Sequence, residues 1–170
     1  MQTKIYLIGL PGSGKTTLGK QVAMKLQADF IDLDSAIEQN EGKSIAAIFK
    51  ERGEEAFRQQ ESDLLHRYAT SASPFVMATG GGAPCFFSNM DVMNASGVTV
   101  FLNVPATEIA RRLATALHTR PLFSGMDSYS IKDHVEFLRS QRLPFYKKAK
   151  YHIKGKAITL EDILTVLRAT

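Results

Sequence analysis

Gly9-Leu10-Pro11-Gly12-Ser13-Gly14-Lys15-Thr16 is the stretch that decides how this chain folds. It has the form G-x-x-x-x-G-K-[ST] with every fixed position filled. Each residue type has a physical reason. Glycine carries no Cβ, so main-chain N–H groups can converge on phosphate oxygens. A helix opening near Lys15 turns the positive end of its dipole toward the same anion. Lys15 can reach the β- and γ-phosphates, and Thr16 can offer its hydroxyl to Mg²⁺. Gly12, Ser13, Gly14, Lys15, Thr16 and Thr17 are therefore the expected cradle for a nucleotide. Glycine is common enough that the four fixed positions match by accident in about one chain in a hundred of this length. The flanking pattern makes accident a poor explanation.

Upstream, Ile5-Tyr6-Leu7-Ile8 is rich in β-formers; downstream, Leu18, Val22 and Leu26 recur every four residues on one helix face. A second strand begins at Phe30-Ile31 and ends at Asp32-Leu33-Asp34. Helical segments follow over about 35–41, 44–51 and 54–70, punctuated by Gly42 and Gly53. Residues 74–78 form a third strand running into Gly80-Gly81-Gly82, and residues 98–102 a fourth. Such uninterrupted apolar runs fit strands covered on both faces of a parallel sheet. A helix follows Pro105. Residues 117–128 read as a long loop, and long loops in compact domains are usually functional. A helix over about 130–148 should kink at Pro144. A short strand follows near 150–153. The last helix opens at Thr159 with the pattern of a capping box. Strand–helix alternation over 170 residues predicts one α/β domain, 1–170, with a mainly parallel sheet.

The composition narrows the function classes. Hydrophobic residues make up 44% and charged residues 22%, the balance of a folded globular protein rather than a disordered one. No run of 18 apolar residues exists, so no membrane partner is expected. The N-terminus lacks the order of a secretion signal, which predicts a cytoplasmic location. Cys85 stands alone and forms no internal disulfide; it reads as a small packing residue. The formal charge is +4, and the late basic run from Arg139 to Lys156 contains no acid. It reads either as a solvated helix face or as a field for small anions. No nucleic-acid motif accompanies it, so no nucleic-acid partner is expected. The absence of an Asn-Lys-x-Asp stretch argues against a guanine-nucleotide switch.

The third strand ends in Ala78-Thr79-Gly80 with no acid; the second ends in Asp32-Leu33-Asp34. Residues two apart in an extended segment point the same way. Both carboxylates could thus face the cleft at the carboxyl end of the sheet, where such folds bind ligands. Equally, aspartates there could serve a turn. Arg58 and Glu61 are three apart on one helix and can touch. They form either a surface pair or a carboxylate-binding arginine held by Glu61. Gly80-Gly81-Gly82 lets a main chain approach a ligand or adopt positive φ, or is simply a flexible turn.

Taken together, the chain resembles the shikimate kinase family. Beyond the phosphate loop, the resemblance rests on Asp32-Leu33-Asp34, Gly42-Lys43-Ser44-Ile45 with Ile48-Phe49, and Gly53-Glu54 with Phe57-Arg58 and Glu61. It continues through Thr79-Gly80-Gly81-Gly82, Arg120-Pro121-Leu122, and Arg142 with Pro144, Phe145 and Tyr146. The resemblance implies a three-layer P-loop NTPase fold with a five-stranded parallel sheet flanked by helices, like the nucleoside monophosphate kinases. It implies substrate-binding helices over about 34–62 and a mobile lid over about 117–128. The implied reaction moves the ATP γ-phosphate to the 3-hydroxyl of shikimate. Asp34 would contact that hydroxyl, and Asp32 would hold Mg²⁺ through water beside Thr16. Arg58 and Arg142 would grip the carboxylate, and Gly80, Gly81 and Gly82 would line the ring. Arg120 would come from the lid and join Lys15 on the phosphates. Mg²⁺ is the implied cofactor, ATP and shikimate the partners, and a monomer the implied state. Another small-molecule P-loop kinase, such as a gluconate kinase, is the alternative. The stretch His152-Ile153-Lys154-Gly155-Lys156 departs from the family's adenine loop, so no adenine contact is assigned to it. Arg111 and Arg112 either flank the base or form a solvated face.

Overall fold

The computed structural model describes residues 3–116 and 128–169, with side chains from 130 onward in the second stretch. Five parallel strands form one sheet: β1 (Ile5–Ile8), β2 (Asp29–Asp32), β3 (Phe75–Ala78), β4 (Val98–Asn103) and β5 (Tyr151–Lys154). Their order is β2-β3-β1-β4-β5. Leu7 of β1 pairs with Ala78 on one side and Val100 on the other, so the strand feeding the phosphate loop is central. It also lies where the strand order reverses direction, the point at which open α/β sheets bind ligands.

Alternation along the strands builds the layers. Ile5 and Leu7 join Val76, Val98, Val100 and Leu102 in a core under α1 (Lys15–Leu26) and α7 (Leu160–Arg168). Tyr6 and Ile8 point the other way. They join Met77 and Phe101 under α2 (Leu33–Glu41), α3 (Ile45–Thr70), α4 (Asn89–Ser96), α5 (Ala106–Thr115) and α6 (Ser128–Tyr146). Because side chains alternate with period two, one sheet supports two cores, giving the three-layer α/β fold with flanking helices that the sequence predicts.

Local signals act as expected in most places. Gly53 takes φ 81 and ψ 174 inside α3 and splits it into the two helical stretches read from the sequence. Thr159 and Asp162 close a reciprocal capping box at the start of α7. Pro144 lies inside α6, which spans Ser128–Tyr146 where about 130–148 is expected. A 3₁₀ turn (Ala83–Cys85) and α4 lie between β3 and β4, where the sequence reading has no element. The turn into α4 uses Phe87 and Ser88 with φ of 47 and 56, which no residue type there announces. Residues 117–127, and with them most of the expected lid and Arg120, lie outside the described residues; Ser128 already belongs to α6. Among the described residues, no helix is long and apolar enough to cross a membrane.

Candidate active site

The phosphate loop joins β1 to α1. Gly12 and Gly14 take φ of 82 and 94, a left-handed backbone that costs other residues about 1 kcal/mol or more. Gly14 caps α1 without a side-chain bond, and no acid occupies the first turn. The opening N–H groups of α1 are therefore left for an external anion. The nearly buried Lys15 donates from Nζ to the carbonyls of Gly9 at 2.9 Å and Leu10 at 3.0 Å. A cleft of about 560 Å³ opens over the loop, lined by Gly12, Gly14, Lys15, Thr16, Thr17, Asp32, Asp34, Thr79, Gly81 and Arg112, among others. Ser13 is not among its walls. Its amide donates to the Leu10 carbonyl at 3.1 Å and its hydroxyl is buried without a partner.

The two aspartates reach this cleft by a route the sequence does not suggest. β2 stops at Asp32, and Asp34 lies in the first turn of α2. The expected extended Asp32-Leu33-Asp34 segment is thus a strand-to-helix corner. Asp32 is its N-cap: one carboxylate oxygen accepts from the Ser35 amide at 3.2 Å, the other from the Thr16 hydroxyl at 2.8 Å. Both alternatives for Asp32 therefore hold, since it serves the turn and still faces the loop. Asp34 is largely enclosed. Burial, then the Asp32 charge, push its pKa above the usual carboxylate range, against the pull of Lys15 and Arg58.

Across the cleft the glycine triplet adopts no positive φ; its service is space. A Cβ on Gly80 would stand 2.7 Å from Glu61 Oε1 and 2.9 Å from Asp34 Oδ1. On Gly81 it would meet Arg142 Nη1 at 2.7 Å, and on Gly82 the guanidinium carbon of Arg58, also at 2.7 Å. The missing side chains are the seats of two carboxylates and two arginines. Arg58 Nη1 donates to the fully buried Glu61 at 2.8 Å. Its guanidinium lies between the rings of Phe57 (5.1 Å) and Phe86 (4.6 Å). Glu54 approaches Arg58 Nε to 3.5 Å, yet without hydrogen-bonding geometry. Burial, opposed by Arg58, raises the pKa of Glu61.

Three buried polar atoms in this corner have no hydrogen-bond partner: Arg58 Nε, Glu61 Oε1 and Arg142 Nη1. An orphaned buried donor or acceptor costs about 1–3 kcal/mol, more when charged. A cluster of them marks a place where ordered water or a ligand completes the set. Thus Lys15, Thr16, Asp32, Asp34, Arg58, Gly80, Gly81, Gly82 and Arg142 converge, as the sequence predicts, while Arg120 lies outside the described residues. Arg111 and Arg112 part company. Arg111 is exposed on Glu108. Arg112 turns to the cleft, donating to Gly12 at 3.1 Å and to Lys156 at 2.5 Å.

Some contributors escape sequence reading. Thr79 lines the cleft and donates to the Leu7 carbonyl at 3.0 Å. Phe86 covers Arg58 only because the turn after the triplet folds back, and nothing in its neighbours signals this. Tyr146, beside Pro144 and Phe145, carries no sequence signal of the bond its hydroxyl makes to Gly81.

A central phosphate loop, an enclosed carboxylate beside it and paired arginines opposite define a P-loop kinase acting on a small, anionic hydroxylated acceptor. The profile of the family described as Shikimate kinase matches residues 11–169. A shikimate kinase of Parabacteroides distasonis is 42% identical over 98% of this chain and 96% of its own length. The crystal structure of shikimate kinase from Bacteroides thetaiotaomicron superposes with a TM-score of 0.90 at 40% identity, covering 98% of this chain and 97% of that one. Shikimate kinase from Acinetobacter baumannii, solved in complex with shikimate, gives a TM-score of 0.85 at 30% identity over 99% and 93%. The chain belongs to the shikimate kinase family.

Proposed function

We propose that this chain transfers the γ-phosphate of ATP to the 3-hydroxyl of shikimate, releasing ADP and shikimate 3-phosphate. The observation that carries this reading is the set of orphaned polar atoms on Arg58 and Arg142, beside an enclosed Asp34. Planar, always-charged guanidinium groups are the best grip for a carboxylate. A neutral polyol would leave part of that set unanswered; gluconate does carry a carboxylate, but on an open chain, and the assay below separates it from the ring acid.

Phosphoryl transfer asks the protein mainly for alignment and charge neutralisation. The opening amides of α1 and Lys15 take the β- and γ-phosphates, and Arg120 is assigned a further positive charge on them. Asp34 orients the 3-hydroxyl and holds its proton while that oxygen bonds to the γ-phosphorus and the bridge to ADP breaks. A raised pKa suits it to this, because a carboxylate that binds protons more tightly is a better base. The hydroxyl of Thr16 and the carboxylate of Asp32, 2.8 Å apart, are hard oxygen donors of the kind Mg²⁺ accepts, Asp32 through water. Bound there, Mg²⁺ would neutralise charge on the β- and γ-phosphates. The need for ATP supports a cytoplasmic setting.

A coupled assay of ADP release tests the reading. Shikimate should drive rapid turnover with Mg²⁺ and ATP, whereas gluconate, or the same ring lacking its carboxylate, should not rise above background. Equal rates with the carboxylate-free ring would end it.

A further inference from the structure

Tyr146 is the last residue of α6 and is fully buried. One turn earlier on the same helix stands Arg142, so both side chains rise from one face. The Tyr146 hydroxyl donates to the carbonyl of Gly81 at 2.5 Å, across 65 residues of sequence. The positive charge of Arg142 lies near the same oxygen and opposes the effect of burial on its pKa. Arg142 Nη1, with no partner of its own, occupies the spot where a Gly81 side chain would begin. The phenol and the arginine, one turn apart on α6, thus both meet the chain at Gly81. The ring meanwhile packs on Phe101 at 5.1 Å, which fixes where that oxygen can be. Burial holds the phenol protonated far above neutral pH, so the donor to Gly81 is never lost by ionisation.

We propose that Tyr146 is a positioning residue for the acceptor site: its hydroxyl holds the Gly81 main chain against which Arg142 leans, so that the free guanidinium edge is presented to the substrate carboxylate. The inference rests on the reading of Arg142 as a carboxylate ligand. Tyr146 itself touches no substrate. Without the hydroxyl, Arg142 keeps its charge but loses its bearing, and a long side chain that must be ordered on binding weakens the complex.

The test is a double-mutant cycle on the whole chain with Y146F and R142A, reading KM for shikimate, KM for ATP and the melting temperature. Y146F alone should raise KM for shikimate about 5–20-fold and move KM for ATP less than twofold. In the R142A background the same change should add less than twofold, because nothing remains to position. Equal losses in both backgrounds, or equal losses for both substrates, would overturn the proposal. So would failure of Y146F to fold, since the hydroxyl would then serve the core and not the site. If R142A by itself leaves KM for shikimate untouched, the carboxylate reading of Arg142 has failed instead.

Discussion

Asp34 is a carboxylate kept where carboxylates are uncomfortable. Its folded-state pKa is raised by burial and by Asp32, so the folded chain binds that proton more tightly than the unfolded chain. By linkage, its contribution to stability is favourable at low pH. That contribution is lost as pH rises from the unfolded value through the folded one. At neutral pH the charged form therefore destabilises the fold. D34N should lower kcat by roughly 10²–10⁴, the usual worth of a positioned acid or base. The same variant should melt higher than the parent at pH 7, with the gap closing as pH falls toward 4. A variant that is both inactive and less stable at pH 7 would mean that Asp34 is structural. At this scale the sequence is informative where chemistry is local, as in the eight residues of the phosphate loop. It says little where a side chain meets a distant part of the chain, as Arg58 meets the Phe86 ring and Arg112 the main-chain carbonyl of Lys156.

Among the elements, α3 shows how a helix can be cut without being lost. Gly53 sits in a backbone region open almost only to glycine, and a Cβ there would touch nothing within 4 Å. Any penalty for G53A is thus backbone strain alone, about 1–3 kcal/mol. For a chain of this size that lowers the melting temperature by roughly 3–10 °C. The break also sets the angle of the second half of α3, which begins just before Arg58. G53A should therefore raise KM for shikimate more than KM for ATP; equal changes would separate the break from the site. The strands and most helices were legible, because unbroken apolar runs and four-residue apolar spacing are written into neighbouring residues. The corner at Asp32 was not. Extended and N-capping geometry both accept an aspartate, and only the packing of Leu33 and Ile37 beneath α2 decides for the helix.

For the whole molecule, the sheet order does the positioning. With β1 central, the loop after it, the corner after β2 and the triplet after β3 emerge at one end of the sheet. The alternation of elements predicted a parallel sheet, but nothing in the sequence itself states the order of its strands; the resemblance to a known family supplied that expectation. Because the ligands bind only the folded chain, each should stabilise it by about 2.7 kcal/mol at one hundred times its dissociation constant. That corresponds to a rise of roughly 5–10 °C in melting temperature. R58A should abolish the rise with shikimate and preserve the rise with Mg²⁺ and ATP. Loss of both would show that the two halves of the cleft are not separable.

The hollow above Gly82 has a use for anyone comparing distant cousins of this chain. Even one methyl group at that position would force the guanidinium now resting there to shift. A relative bearing alanine or serine at that position must seat this arginine differently. Such a chain should be screened first against acceptors of another shape.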